Sequence, residues 1–464
     1  MRKLLALAVL LILIAGVAWF LAGRASGPGI TIVGPGPLVG QRSPLQLTIH
    51  APGGELSALD VVVEQGGQSH IVGDLSGTGE LTLDRQSDSV AVGGLIGRQT
   101  VPALTQGKAT LVVRASRPVL FGLRTVASEA RQDVEVRLTP PTLSPLSQFH
   151  FINQGGSELV VYRVNPADAA SGVRVGEREY PGFAASGAGI ANADAGLRVA
   201  FFALLHDQPA DAPIRLFARD AAGNESTATF ETRVFPKRFR TSTIAVDLPF
   251  MQRVVPPILA QTPDLPVSDP SNLLDAYLAI NRTLRERNAT TIRQIGTMKT
   301  SPTMQWQGPF RQMTNSAVEA GFADARTYTF EGREVDRQTH LGFDLASLSQ
   351  APIEAANRGI VVFAGYLGIY GNCVILDHGL GVQSLYAHMS GLDVAEGQVV
   401  EKDAVLGRSG VTGLAGGDHL HFTMLLNGEP VTPVDWWSAQ WVEDRILRKL
   451  RAAGAAIPPA SSGP

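Results

Sequence analysis

The distribution of apolar and polar positions divides the chain before any chemistry is considered. Behind Arg2 and Lys3, residues 4–22 form nineteen consecutive positions without a charge. As a helix this run spans about 28 Å, close to the hydrocarbon thickness of a bilayer. It exceeds the roughly 7–15 apolar residues of a cleaved signal peptide, and Gly23-Arg24-Ala25 is a poor cleavage site. The expectation is an uncleaved signal anchor over residues 1–25. Arg2 and Lys3 would stay in the cytoplasm and the remainder would face outward.

From residue 29 to 138 the pattern changes to short alternating runs, at 45–49, 60–64, 109–114 and 133–138, separated by Gly-Gly, Ser-Gly and Thr-Gly turns. Period-two alternation with such punctuation predicts a β-sandwich. Thr139-Pro140-Pro141 marks a boundary. A second β-rich unit is predicted over 142–236, ending in a strand over 214–219, a DAAGN turn and a strand from Thr227 to Val234. That hairpin resembles those closing immunoglobulin-like modules of bacterial surface proteins. Both modules read as spacers, with binding to wall glycan or to an envelope protein partner as the alternative use.

Residues 237–302 read as linker and helix. Pro249, Pro256, Pro257, Pro263 and Pro266 make 237–267 a connector. A helix opens after Asp269-Pro270-Ser271, with Leu273, Leu274, Tyr277, Leu278 and Leu284 at helical spacing and Asn288 as its stop. It would pack on the following domain or cover its cleft. Residues 303–438 return to β-type runs, at 359–365, 373–377, 382–387 and 420–425. Residues 439–453 form an amphipathic pattern, with Trp441, Ile446, Leu447 and Leu450 on one side and Arg445, Arg448, Lys449 and Arg451 on a basic face. The expected use of that helix is packing on the domain before it, with contact to anionic lipid or wall polymer as the alternative. Residues 457–464 read as a disordered tail.

Composition narrows the function classes. A net charge of −3 leaves no basic field for nucleic acid. The single cysteine, Cys373, excludes an intrachain disulfide, and its apolar neighbours mark it as a buried thiol.

Histidine is distributed unevenly. His340, His378, His388, His419 and His421 are five of the nine histidines, yet they fall within 82 of 464 residues. His50, His70, His150 and His206 are isolated and read as ordinary residues. Histidines with one carboxylate are the usual ligands of a catalytic zinc, which leaves a position open for water. Residues two apart on a strand share a face, so His419 and His421 project together with Leu420 opposite. His340 and Asp344 are four apart and could share a strand face as well.

The segments THLGFDLAS, LDHGLGVQSLYAHM and GRSGVTGLAGGDHLHF stand in one order over about 303–436. This part of the chain resembles the lysostaphin/LytM-type zinc metallopeptidases, which cleave peptide cross-links of bacterial peptidoglycan. The resemblance implies that His340, Asp344 and His421 bind one Zn2+ per chain. It also implies that His388 and His419 are catalytic. His378 reads as structural, and Tyr386 as either groove or core. Thr423 stands where many relatives carry Glu, which changes a hydrogen bond beside the ligands. Some relatives have lost ligands and activate wall amidases, so a non-catalytic regulator is the alternative, and a structural zinc is a third reading. The chain as a whole is expected to be mainly β: an anchoring helix, two β-sandwich modules and an antiparallel LytM-type sheet domain. It is expected in the cell inner membrane, facing the periplasm, with peptidoglycan stem peptides or cross-bridges as substrate.

Overall fold

The computed structural model describes residues 2–457, and the tail expected to be disordered lies, from residue 458 on, outside the described residues. The chain is mostly β and divides into two compact units. One comprises Met1–Pro141 with Arg219–Ser226, and the other Thr142–Ala218 with Thr227–Pro464.

In the first unit the apolar run becomes the helix Arg2–Ala22, whose window Leu5–Ala22 is apolar and long enough to cross a membrane. Two sheets follow. Gly29–Gly34, Ser43–His50, Ser89–Ile96 and Thr82–Arg85 make one. The other is built around the long hairpin of Gly107–Val119 and Arg124–Val136. Along Ser43–His50 burial alternates strictly, so Leu45, Leu47 and Ile49 face inward and meet Val61, Val63, Leu111 and Val113 of the other sheet. The alternation in the sequence is thus the alternation of a sandwich interior. The DAAGN turn is closed by Asp220, whose carboxylate accepts the backbone N–H groups of Ala222 and Asn224 at 3.0 and 2.9 Å.

In the second unit, strands including Gly156–Asn165 and Leu197–Leu204 form sheets whose core is continuous with that of the sheet carrying the histidines. Four expectations are corrected here. The strand expected from Thr227 to Val234 is two strands in different sheets, Glu225–Thr229 and Thr232–Phe235; the second pairs in parallel with His150–Asn153.

Residues 237–267 are not a bare connector. Thr241–Ala245 pairs in parallel with Asp324–Phe330, and Leu248–Gln261 is a helix despite Pro256 and Pro257. Asp247 caps that helix by accepting Phe250 N–H at 2.8 Å. Met251, Val254, Val255 and Ile258 bury its inner face, and this packing outweighs the hydrogen bonds the prolines cannot make. Asn288 does not stop the next helical run, which continues to Met298 through a π-type turn at Ile280–Leu284. Its buried side chain instead accepts Ile369 N–H at 3.0 Å.

The C-terminal helical segment buries Val442, Ile446, Leu447 and Leu450. Trp441 meets Trp436 at 5.3 Å, and Lys449 is not on a basic face. Its ammonium is buried against Glu158 Oε1 at 2.7 Å, in the strand Gly156–Asn165. The segment therefore packs on the second β-module as well as on the domain before it.

Candidate metal centre

The central sheet runs Ala317–Ala320, Phe343–Ala346, Leu420–Leu426, Val382–Met389, Asn372–Gly379, Gly359–Tyr366 and Val399–Val400, with Glu429–Val431 paired to Leu420–Leu426. His340 ends the strand Arg333–His340 of a different, three-stranded sheet. It therefore does not share a strand face with Asp344, which lies in Phe343–Ala346 after a turn through Gly342. The pair converges because the chain changes sheets between them. Gly342 permits this, since a Cβ there would collide with the His421 ring. Asp344 stands opposite His421 in the antiparallel register, so three elements deliver three side chains to one point.

The hydrogen bonds assign the tautomers. His340 Nδ1 is 3.0 Å from the Gly321 carbonyl, so it carries the proton and leaves Nε2 a lone pair. The Thr423 hydroxyl donates to the Leu341 carbonyl at 2.9 Å and therefore accepts from His421 Nε2–H at 3.0 Å. That leaves His421 Nδ1 a lone pair too. The two bare nitrogens lie 3.0 Å apart, and each is within 3.0 Å of Asp344 Oδ1. Three lone-pair donors facing one another, two of them buried, repel unless a cation or shared protons lie between them. Two imidazoles and a carboxylate of this arrangement fit a zinc ion.

His388 and His419 flank this cluster, with ring centroids 4.9 Å apart; His388 lies 5.8 Å from His421. The GRSGVTG turn positions both. The Thr412 carbonyl accepts His388 Nδ1–H at 2.8 Å, and the Gly410 carbonyl accepts the backbone N–H of His419. His388 adopts φ +64°, a conformation rare outside glycine that turns its ring toward the cluster. Burial and the neighbouring histidines push its pKa down to about 3. His419 donates Nδ1–H to the Gly417 carbonyl at 2.8 Å, which aims Nε2 at Asp344 Oδ1, 3.4 Å away. Burial disfavours charge on His419, but the Asp344 carboxylate outweighs it and raises the pKa.

Several neighbours carry no sequence signal. Arg326 bonds Asp344 Oδ2 at 3.3 Å, leaving Oδ1 to the histidines. Tyr370 lies 5.6 Å from the His421 ring. A cavity of about 1110 Å3 opens over the cluster and is also lined by Phe250, Arg253 and Arg285 of the helical region. Arg253 donates to the Gly416 carbonyl at 2.8 Å, in the loop that leads to His419. The helix Leu248–Gln261, read from the sequence as a connector, thus lines the cleft together with Arg285 of the helical run after it, which also packs through Tyr277 and Ile280 against Tyr328 and Ile369. His206, read as ordinary, also lines this cavity.

The remaining candidates are structural. His378 is fully buried, with Nδ1 2.7 Å from the Arg358 carbonyl and Nε2 2.7 Å from Ser384 Oγ. Tyr386 fills the core, where its hydroxyl accepts Ala356 N–H at 2.8 Å. Cys373 is buried, and burial pushes its thiol pKa up.

Residues 338–433 match the sequence profile of Peptidase family M23. Over 95 residues the chain is 43% identical to the DD-carboxypeptidase/endopeptidase Mpg of Neisseria meningitidis, covering 20% of this chain and 22% of the relative. Over 92 residues it is 35% identical to the peptidoglycan DD-endopeptidase ShyA of Vibrio cholerae, covering 20% and 21%. The chain thus spans about a fifth of the length of these curated relatives. Among solved structures, the catalytic domain of lysostaphin from Staphylococcus simulans is 25% identical, with a TM-score of 0.24 over 28% of this chain and 98% of that one. A zinc-containing peptidase from Vibrio cholerae is 12% identical, with a TM-score of 0.26 over 85% and 80%.

Proposed function

We propose that this chain, whose residues 338–433 carry the Peptidase family M23 pattern, is a zinc-dependent endopeptidase that hydrolyses peptide cross-links of peptidoglycan. It would act from the periplasmic face of the inner membrane, held by the helix Arg2–Ala22. The observation that carries the reading is the convergence of His340 Nε2, His421 Nδ1 and Asp344 Oδ1 with their lone pairs inward. The DD-endopeptidase activity named for two relatives makes peptide bonds of the stem the substrate of choice.

His340, Asp344 and His421 would hold the zinc. When bound there, zinc supplies Lewis-acid chemistry, polarising a carbonyl and lowering the pKa of water from ~15.7 to about 7. The remaining roles belong to side chains. His388 has its Nδ1 proton committed to Thr412, so Nε2 faces the cluster with a lone pair that accepts a proton from the attacking water. His419, fixed by Gly417, orients Nε2 toward the same space to hydrogen-bond the developing oxyanion, and the proton taken up by His388 is then delivered to the leaving amine. Arg326, bonded to Asp344 Oδ2, fixes the rotamer of that carboxylate. The GRSGVTG turn holds the two catalytic imidazoles in register with the ligands.

The test uses the full chain in detergent or vesicles, with bound zinc quantified and cross-linked peptidoglycan digests read by mass spectrometry. Stoichiometric zinc and cross-link cleavage are expected, with both lost in His421→Ala. Zinc-free protein that leaves cross-links intact would overturn the reading and favour the non-catalytic regulator.

A further inference from the structure

The long hairpin of the first unit ends in an apolar tip that nothing in the unit covers. Gly107–Val119 and Arg124–Val136 are paired throughout their length, and residues 120–123, Leu-Phe-Gly-Leu, join them. Phe121 is fully exposed and Leu123 is 71% exposed. Leu120, Phe121 and Gly122 have φ of +53°, +54° and +86°. Such hairpin turns ordinarily use Asn and Gly, and left-handed geometry costs a bulky residue about 1–2 kcal/mol. Phe121 thus occupies a strained position without gaining a packing partner, and Leu123 beside it is likewise bare.

The contacts between the hairpin and the N-terminal segment fix where this tip lies. Arg117 donates through Nε and Nη2 to the Ser26 carbonyl at 3.1 and 2.8 Å. Nearer the tip, Arg124 donates to the Trp19 carbonyl at 2.7 Å and stacks over the Trp19 ring at 5.3 Å. Backbone approach is equally close. A Cβ at Gly23 would overlap the Arg124 guanidinium, and one at Gly27 would overlap the Ala127 carbonyl. Moving along the hairpin toward its tip therefore means moving from Ser26 back to Trp19, into the apolar helix. The tip lies one step beyond Arg124, level with the last turns of Arg2–Ala22 or deeper.

Trp19, Phe20, Arg24, Arg117 and Arg124 gather at this level. Arg24 also stacks on Phe20, at 4.9 Å. Aromatic rings with basic residues mark the headgroup zone at the end of a spanning helix. We infer that the 120–123 tip is a second membrane contact, in which Phe121 and Leu123 insert into the outer leaflet of the bilayer crossed by the helix. The inference rests on the reading of Arg2–Ala22 as a retained anchor. Two attachment points, a helix and a wedge held together by Arg124, orient the sandwich on the membrane, so that its long hairpin stands up from the surface by roughly 40 Å.

The experiment places an environment-sensitive fluorophore on a cysteine introduced at one site of the full chain. The protein is reconstituted in phosphatidylethanolamine–phosphatidylglycerol vesicles. Phe121→Cys reports the tip, Leu13→Cys the helix, and Gln68→Cys the exposed far end of the sandwich. Unlabelled Cys373, at 0% exposure, gives no background. The expected result is blue-shifted emission, quenched by doxyl-labelled lipid and protected from aqueous iodide, at positions 121 and 13. Position 68 should be quenched by iodide alone. If position 13 reports lipid while 121 behaves as 68 does, or is shielded from both quenchers, the wedge is refuted and the anchor stands. If position 13 reports water, the anchor reading itself fails and the wedge falls with it.

Discussion

Two groups of buried histidines sit in the second unit and differ in one respect. His378, on the strand Asn372–Gly379, has a neutral partner for each ring nitrogen, a carbonyl and a hydroxyl. His340 and His421 each have one nitrogen satisfied by Gly321 or Thr423, and aim the other at each other and at a carboxylate. Burial is similar, as all three are under a tenth exposed. What separates a core histidine from a candidate ligand is therefore whether its hydrogen-bonding capacity is closed within the fold. An arrangement left open, with several lone pairs converging, is one that suits a cation.

The comparison can be broken most forcefully at the residues beside the open cluster. His388→Ala should cut the turnover of cross-link cleavage by about 10²–10⁴-fold, the range for a lost general base, with zinc content unchanged. Single-turnover kinetics and metal analysis on the same sample check both halves. Thr423→Val removes the acceptor that fixes the His421 tautomer. Zinc affinity should fall about 10–100-fold in chelator competition, while added zinc restores cleavage.

The closed arrangement should respond in the opposite way. His378→Ala takes from Ser384 and the Arg358 carbonyl their imidazole partner and opens a cavity in the core, so it should destabilise the fold by about 2–4 kcal/mol in denaturant titration. Zinc affinity of the folded protein should not change. A loss of zinc without a loss of stability would erase the distinction.

Asp435 sharpens the comparison from a third side. Its Oδ2 is buried without a partner and only Asn153 approaches Oδ1, at 3.4 Å, but no second ligand converges on it. Burial pushes its pKa up to about 6. A carboxyl whose folded pKa lies above its unfolded value contributes stability that is complete below about pH 4 and is lost as pH rises through 6. Asp435→Asn should remove that loss, a gain on the order of 1–3 kcal/mol at pH 7 relative to pH 4. Melting temperatures across this range provide the measurement. An isolated unsatisfied group thus affects stability, whereas several converging ones make a site.

Much of this was legible in the residues. The apolar run, the alternation of the first sandwich and the HLH pair each follow from local periodicity, because helix and strand geometry repeat at fixed short intervals. The helix at Leu248–Gln261 was not legible, since Pro256 and Pro257 argue against helix locally and only burial against Tyr328 and Ile369 overrides them. Lys449 reads as a surface charge until its partner Glu158, 291 positions away, is brought to it.

At the site, the sequence by itself determined which residue types were available and that His419 and His421 would point together. The tertiary structure decided the rest. It brought His340 from another sheet, set Arg326 on Asp344 and placed the helical wall over the cleft. It also left one histidine sealed and the others open. The reason is that local pattern specifies the direction of a side chain along its own element. Convergence and hydrogen-bond closure depend on groups far apart in sequence, whose meeting is fixed only when the core packs.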